Sequence, residues 1–100
     1  MNDKFYSLLG LASRAGKVKT GDTAVLKDIR SQTLRLVIVA GDASENTQKK
    51  FNDKSSYYRV PYRIAGTRQT LGQALGKGER VTVGITDEGF AKKLISLLDN

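Results

Sequence analysis

The chain has 100 residues, of which 39% are hydrophobic and 27% are charged. This length predicts one domain over residues 1–100 with a modest core, and the composition favours a folded protein over a disordered one. Lys and Arg number 17 against 10 Asp and Glu, so the formal net charge is +7. That balance favours a polyanionic partner, above all nucleic acid, although solubility alone is the simpler alternative.

Other classes of protein are disfavoured by what the chain lacks. No apolar run approaches the roughly 20 residues that span a bilayer, and the N-terminal residues lack the apolar segment of a secretion signal. With no cysteine and no histidine, the chain has no disulfide framework, and the commonest catalytic bases, nucleophiles and metal ligands are missing. We therefore predict a cytoplasmic protein that is not an enzyme, holds no metal or cofactor and has no membrane partner.

The first half of the chain predicts two helices and two strands. Apolar residues at spacings of three and four indicate a helix over residues 3–15, and "KVKT" follows as a short edge strand. Residues 21–32 form a second helix with an apolar face. The nearly continuous β-branched run "LRLVIVA", residues 34–40, is typical of a central strand covered on both faces.

The second half continues the alternation. Ser44 is placed to cap a helix that reaches Tyr57, and Pro61 marks the start of the strand "RVPYRIA" or an edge position in it. A helix in "GTRQTLGQALG", a strand in "RVTVGI" and a last helix capped by Thr86 complete the chain. The pattern predicts an α/β fold, a three-layer α-β-α sandwich in which five alternating helices cover a small, four-stranded, mostly parallel sheet.

The four strand-to-helix junctions share a glycine, a short polar residue and a helix start. Parallel strands would gather these junctions at one end of the sheet, where ligands of open α/β sheets bind near helix N-termini. Turn and capping chemistry explains the same residues without any function. Nearby basic side chains favour phosphate contacts. The glycines are Gly21, Gly41, Gly66 and Gly84, and the basic residues near the first and third junctions are Lys17, Lys19, Lys27, Arg63 and Arg68.

Three tyrosines lie close in sequence to two arginines. Tyr57, Tyr58 and Tyr62 are near Arg59 and Arg63, an arrangement that suits base stacking. The strand alternation favours a core position for Tyr62 instead.

Four segments together resemble the ribosomal kink-turn-binding proteins, often written L-seven-Ae and L-thirty-e, and among them the small bacterial YlxQ-type members. The segments are "KVKTGDTAVLKDI", "LRLVIVAGDAS", "VPYRIAGTRQTLGQALGK" and "VTVGIT". The resemblance extends from about Phe5 to Leu98. It implies an α-β-α sandwich that binds structured RNA at the sheared G·A pairs of a kink-turn, as a ribosomal or ribosome-associated protein. The second helix would enter the kinked groove, flanked by the adjacent strand-to-helix loops.

The resemblance also implies a set of site residues. Gly21 and Lys27 match the family's motif, but Thr23 stands where the family has Asn or Lys, and Ala24 where it has Glu or Gln. Ala24 cannot hydrogen-bond to a guanine edge, and such a loss costs roughly 1–3 kcal/mol of discrimination. The expected RNA-binding residues are Lys17, Lys19, Gly21, Thr23, Ala24, Lys27, Asp42, Arg63, Thr67, Arg68 and Gln69.

Two other functions stay open. The short polar loop "GKGER" replaces an apolar loop of the family, and together with Ala24 it favours a protein-interaction module that has lost specific kink-turn recognition. A small-ligand or nucleotide-binding enzyme could use the same end of the sheet, but the absence of His and Cys argues against it.

Overall fold

The computed structural model describes residues 3–100, so residues 1 and 2 of the predicted domain lie outside the described part. Within it, helices and strands alternate as the periodicity predicts. The helices are α1 (Asp3–Arg14), α2 (Asp22–Arg30), α3 (Glu45–Tyr57), α4 (Arg68–Ala74) and α5 (Glu88–Asp99), and the strands are β1 (Val18–Thr20), β2 (Leu36–Val39), β3 (Tyr62–Ile64) and β4 (Thr82–Ile85). No helix in residues 3–100 combines the length and the apolar character needed to cross a membrane.

The sheet is mixed, which corrects the prediction of a mostly parallel sheet. Its strand order is β1-β4-β2-β3, and β2 pairs parallel with β3. Strand β4 runs antiparallel to both of its neighbours, β1 and β2. An apolar strand sequence carries no mark of direction, so the alternation of helix and strand could not reveal this reversal.

The reversal arises after α4. The chain that leaves this helix runs back alongside it, and the Arg80 N–H donates to the Arg68 carbonyl at 3.0 Å. Strand β4 therefore starts at the end of the sheet where β3 finishes. A parallel strand would have needed a crossover that carried the chain to the opposite end.

Two ends of the sheet follow from these directions. We call the end at which β1, β2 and β3 finish and β4 begins the carboxyl end, and the opposite one the amino end. The junctions at Gly21, Gly41 and Gly66 gather at the carboxyl end, as expected. The junction after Gly84 opens at the amino end, because β4 is reversed.

The core lies on both faces of the sheet, since side chains of a strand alternate between faces. Val37 and Val39 of β2 meet α2 and α3, whereas Leu36 and Ile38 meet the layer of α1, α4 and α5. All four residues of β2 are buried, as the continuous apolar run predicts. Tyr62 packs against the α2–α3 side, where its hydroxyl donates to the Gln48 carbonyl at 3.0 Å. This position agrees with the core alternative for Tyr62.

Two predicted helix caps have different outcomes. Ser44 caps α3 as predicted, and its hydroxyl accepts from the Thr47 N–H at 3.1 Å. The N-cap of α5 is Asp87 rather than Thr86, and its carboxylate accepts from the Phe90 N–H at 2.9 Å. Thr86 is held in an extension of the β1–β4 pairing, because its N–H and its hydroxyl both donate to the Lys17 carbonyl.

The returning chain after α4 depends on a glycine in that helix. A Cβ added at Gly72 would overlap the carbonyl oxygen and carbon of Gly78, which are backbone atoms. The Lys77 N–H also donates to the Gly72 carbonyl at 2.8 Å. The missing side chain at Gly72 thus lets residues 76–80 lie directly on α4.

We expect Gly72→Ala to lower the free energy of unfolding by about 3 kcal/mol, because the backbone at Gly78 must move away. The matched control is Gly78→Ala, since a Cβ at Gly78 would meet only the Arg80 guanidinium at 3.9 Å. Urea denaturation of both variants checks this. Equal stability of the two variants would contradict the close backbone packing.

Candidate functional site

The start of α2 lacks the side-chain cap that is found at the starts of α3, α4 and α5. Ser44, Thr67 and Asp87 cap those three helices. At α2 the N-cap is Gly21, with φ 95° and ψ 142°, and no side-chain cap accepts from the backbone N–H groups of the first turn. A positive φ of this kind suits glycine. The N–H groups of that turn, together with the helix dipole, are open to an anionic acceptor.

Two side-chain hydrogen bonds connect this helix start to the neighbouring strands. The hydroxyl of buried Thr82 donates to the Asp22 carboxylate at 3.0 Å, so this acidic group is engaged by β4. Arg80 Nε donates to the Thr20 hydroxyl at 3.3 Å. Arg80 was absent from the predicted site, because its place at the carboxyl end depends on the direction of β4.

The outer face of α2 carries an open groove of about 500 Å³. Thr23 and Lys27 line it, and so does Arg30, which is not among the predicted site residues. All three are exposed, and so is Ala24. Residues 23, 27 and 30 recur at helical spacings of four and three, so periodicity alone was enough to find Arg30. The helix therefore presents a polar, basic face beside its open N-terminus.

Asp42 and Arg68 connect the second and third junctions. The Asp42 carboxylate accepts from the Arg68 N–H at 2.9 Å and from Arg68 Nε at 3.4 Å. These two bonds hold the pKa of the Asp42 carboxyl below its usual value of 3.8, and the bond from the backbone N–H has the larger effect. The Thr67 hydroxyl accepts from the Thr70 N–H at 3.1 Å in a capping box, so this hydroxyl caps α4. Gln69 is exposed and has no hydrogen-bond partner for its side chain within residues 3–100.

Lys17 and Arg63, both predicted site residues, lie away from this group. Lys17 precedes β1 at the amino end, where its carbonyl accepts from the Thr86 N–H at 2.9 Å. Arg63 donates to both carboxylate oxygens of Asp99, with Nε and Nη2 each at 2.8 Å. These bonds raise the pKa of Arg63 and lower that of Asp99.

Lys19 lies on the same face of the sheet as α2. It pairs with Gly84, and a Cβ at Gly84 would touch Leu34, which belongs to the core under α2 and α3. Cross-strand partners share a face, so the exposed Lys19 side chain leaves β1 on the side of α2. Lys19 is thus close to the basic face of that helix.

The carboxyl end thus combines an uncapped helix start with exposed basic side chains. Three strand spacings separate the junction after β1 from the one after β3, a span of about 14 Å. Residues 3–100 hold no cluster of acidic side chains fit for a metal ion. The arrangement is suited to contacts with extended anions over a broad surface. Fold and site together define a small, basic α-β-α sandwich with an uncapped helix start and exposed cations at one end of its sheet.

Comparison with known proteins identifies the family. The model of the ribosomal protein L7Ae/L30e/S12e/Gadd45 family matches residues 3–95. The chain belongs to this family, as the sequence resemblance predicts.

Named relatives support the YlxQ-type resemblance. The chain is 52% identical over 96 residues to the RNA-binding protein YlxQ of Bacillus subtilis, which covers 96% of each chain. It is 48% identical to the RNA-binding protein YlxQ of Enterococcus faecium, covering 96% of this chain and 92% of that one. Large ribosomal subunit protein eL8 of Thermoplasma volcanium is 28% identical, over 94% of this chain and 78% of that protein.

Solved structures agree on the fold. A protein of unknown function from Bacillus halodurans superposes with a TM-score of 0.96 at 44% identity, over 99% of this chain and 100% of that chain. The 15.5kD RNA binding protein of Giardia lamblia superposes with a TM-score of 0.81 over 99% of this chain and 91% of that one. At 19% identity the second likeness concerns the fold alone.

We expect Arg68→Ala to raise the pKa of the Asp42 carboxyl only partway towards 3.8, because the backbone N–H, the largest cause of the shift, remains. Arg68→Pro removes that N–H as well and should raise this pKa further than Arg68→Ala does. Proline is tolerated at the first position of a helix, so α4 is retained. Carbon-detected NMR titration of the carboxyl measures both variants.

The sign of the stability effect follows from the lowered pKa. The Asp42 contribution is present above pH 3.8 and is lost as the pH falls through the folded-state value. Wild type should therefore lose stability on acidification more than Arg68→Pro does. Identical pKa values in Arg68→Ala and Arg68→Pro would show that the backbone N–H is not the main cause.

Proposed function

We propose that this protein is a non-enzymatic, cytoplasmic RNA-binding protein that contacts structured RNA through the carboxyl end of its sheet. The start of α2 would approach the phosphate backbone, with Gly21 allowing close contact and Thr23 offering a hydroxyl. Lys19, Lys27 and Arg30 would contact phosphates. A ribosomal RNA or another kink-turn-containing RNA is the proposed partner, in a ribosome or another ribonucleoprotein.

The observation that carries this proposal is the uncapped α2 start beside an exposed basic face. A helix start without a side-chain cap leaves its N–H groups to water or to a ligand, and here three exposed cations lie on the same face of the sheet or helix. The sign of the charge suits phosphate, and an open surface suits a macromolecule better than a small ligand. Membership of a ribosomal protein family and the RNA-binding relatives support the same conclusion.

The residues at the start of α2 favour RNA binding of modest sequence discrimination. Thr23 and Ala24 are exposed, so both would face a bound groove, but Ala24 offers no hydrogen bond to a base. Phosphate contacts position a partner and do not read its sequence. We propose that binding to a kink-turn rests on backbone shape and charge, with weak reading of its G·A pairs.

Removal of two cations tests the site itself. Each phosphate contact contributes about one unit to the slope of log K against log salt concentration. We therefore expect Lys27→Ala/Arg30→Ala to bind a kink-turn RNA with a slope that is smaller in magnitude by about two units. The control Lys49→Ala/Lys93→Ala removes the same charge from exposed positions in the middle of α3 and α5. Filter binding at several salt concentrations measures all three proteins.

If Lys27→Ala/Arg30→Ala and Lys49→Ala/Lys93→Ala reduced the salt dependence equally, net charge alone would drive binding. Absence of salt-dependent RNA binding by wild type would end the proposal. It would favour the alternative, a protein-interaction module of the same fold, which a pull-down resistant to ribonuclease would then support.

A second test replaces Ala24 by Glu, which the family has at this position, and asks whether the protein then recognises bases. We expect Ala24→Glu to increase the preference for a kink-turn RNA over a copy without its G·A pairs by roughly 1–3 kcal/mol. Ala24→Leu at the same exposed position is the control for bulk. A gain of general affinity without a gain of preference would show that this position does not face a base.

A further inference from the structure

The amino end of the sheet carries a second basic surface, opposite the proposed site. Lys17 precedes β1, Arg35 precedes β2, and Arg59 lies at the turn before β3. Each is exposed. Because β1, β2 and β3 all run in the same direction, their preceding residues meet at one end of the sheet.

Backbone contacts fix the positions of these residues. The Arg35 N–H donates to the Ile85 carbonyl at 2.7 Å, and the Lys17 carbonyl accepts from Thr86, so the two residues flank the end of β4. The Pro61 carbonyl accepts from the Val37 N–H at 2.8 Å, which seats the Arg59 turn beside β2. Two strand spacings separate β1 from β2 and one separates β2 from β3, so the three cations extend over about 14 Å.

Within residues 3–100, these three cations have no directly bonded acidic partner. No hydrogen bond or ion pair of the Lys17, Arg35 or Arg59 side chain is formed in that part of the chain. Arg35 and Arg59 line one groove of about 230 Å³ with Lys92 and Glu88. Glu88 is the acidic member of that lining, and it lies 4.0 Å from Lys92 in an exposed pair. The groove therefore keeps a net positive charge.

An exposed aromatic ring lies at the same end. Tyr57, the last residue of α3, is 79% exposed, and its ring contacts Tyr58 edge-on with centroids 4.9 Å apart. Tyr58 in turn packs on the core, so the Tyr57 ring is supported while its surface stays open. A supported, open aromatic ring at an end of the sheet that also carries arginines offers a surface on which an unpaired base can stack.

The backbone at Arg59 adds a second unusual feature. This residue has a φ of 58° at the turn that ends α3, where glycine is the ordinary choice. A non-glycine residue there carries a conformational cost, and glycine would relieve it. Replacement of Arg59 by glycine should therefore remove the charged side chain without straining this turn.

We propose that the amino end is a second RNA-contact surface, and that the protein bridges two RNA segments held on opposite ends of its sheet. Arg35, Arg59 and Lys17 contact the phosphates of the second segment, and Tyr57 stacks on an unpaired base. The principal extents of the molecule are 30, 27 and 25 Å, enough to keep two segments apart. This inference rests on the proposed RNA binding at the carboxyl end.

An alternative explanation is structural. Helices α1 and α3 end near Lys17 and Arg59, and cations near helix C-termini are stabilising. That role predicts an effect of charge removal on stability and none on RNA. The two explanations are separated by measuring both the stability and the RNA binding of the same variants.

The test is capture of a second RNA. A biotinylated kink-turn RNA on beads is saturated with protein, washed, and exposed to a labelled RNA hairpin with a single-stranded loop. Wild type should retain the labelled RNA. The variant Arg35→Ala/Arg59→Gly should still bind the bead RNA but retain at least tenfold less of the labelled one. Glycine at position 59 relieves the backbone, so poor folding does not explain a loss.

Three further proteins complete the test. Arg35→Lys/Arg59→Lys keeps the charges and should restore most of the capture. Tyr57→Ala should weaken capture of a hairpin loop more than that of a blunt duplex, since only the loop offers an unpaired base. Lys49→Ala/Lys93→Ala, of equal charge change, should behave as wild type.

The outcomes are distinct. Capture by Arg35→Ala/Arg59→Gly equal to that of wild type overturns the second surface, because a dimer holding two RNAs by its carboxyl ends would give that result. Binding to the bead RNA without any capture of a second RNA by wild type also overturns it and leaves the proposed function intact. Failure to bind either RNA ends the proposed function and this inference together.

Discussion

The direct contact between α4 and the chain that follows it decides how this molecule is arranged. Gly72 has no side chain, so the backbone at Gly78 lies against the helix and the chain returns to the end of the sheet it has just left. Strand β4 is therefore antiparallel to both of its neighbours. The Arg80 and Thr82 side chains consequently reach β1 and the start of α2. A bulkier residue at position 72 would disturb the candidate site from a distance.

The reversal also separates the two ends of the sheet. The carboxyl end receives the junctions that open α2, α3 and α4, whereas the amino end receives the start of α5. Open N–H groups at α2 and exposed cations make the carboxyl end suited to phosphate. At the amino end, cations gather where helices α1, α2 and α3 finish. Exposed cations at both ends are what a bridge between two anionic segments requires.

The place of the α2 start in the candidate site could be predicted from the sequence, and the structure shows why other positions could not. The α2 start and Lys27 follow from a glycine and a helical repeat, which are local features. Lys17 lies at the amino end and not beside the start of α2, because four residues of extended chain place it about 13 Å from Gly21. The ion pair of Arg63 could not be predicted, because its partner, Asp99, is distant in sequence. Ion pairs between distant residues leave no local signal.

The sequence by itself determined the helices, the strands and the two apolar faces of the buried strand β2, because these depend on periodicity and on neighbours three or four residues apart. It also determined the N-terminal cap of α3 at Ser44 and the basic character of α2. Only the tertiary structure decided the direction of β4, the transfer of Arg80 to the carboxyl end and the gathering of Lys17, Arg35 and Arg59 at the amino end. Strand direction depends on where the returning chain can pack, and that is set by contacts between residues far apart along the chain.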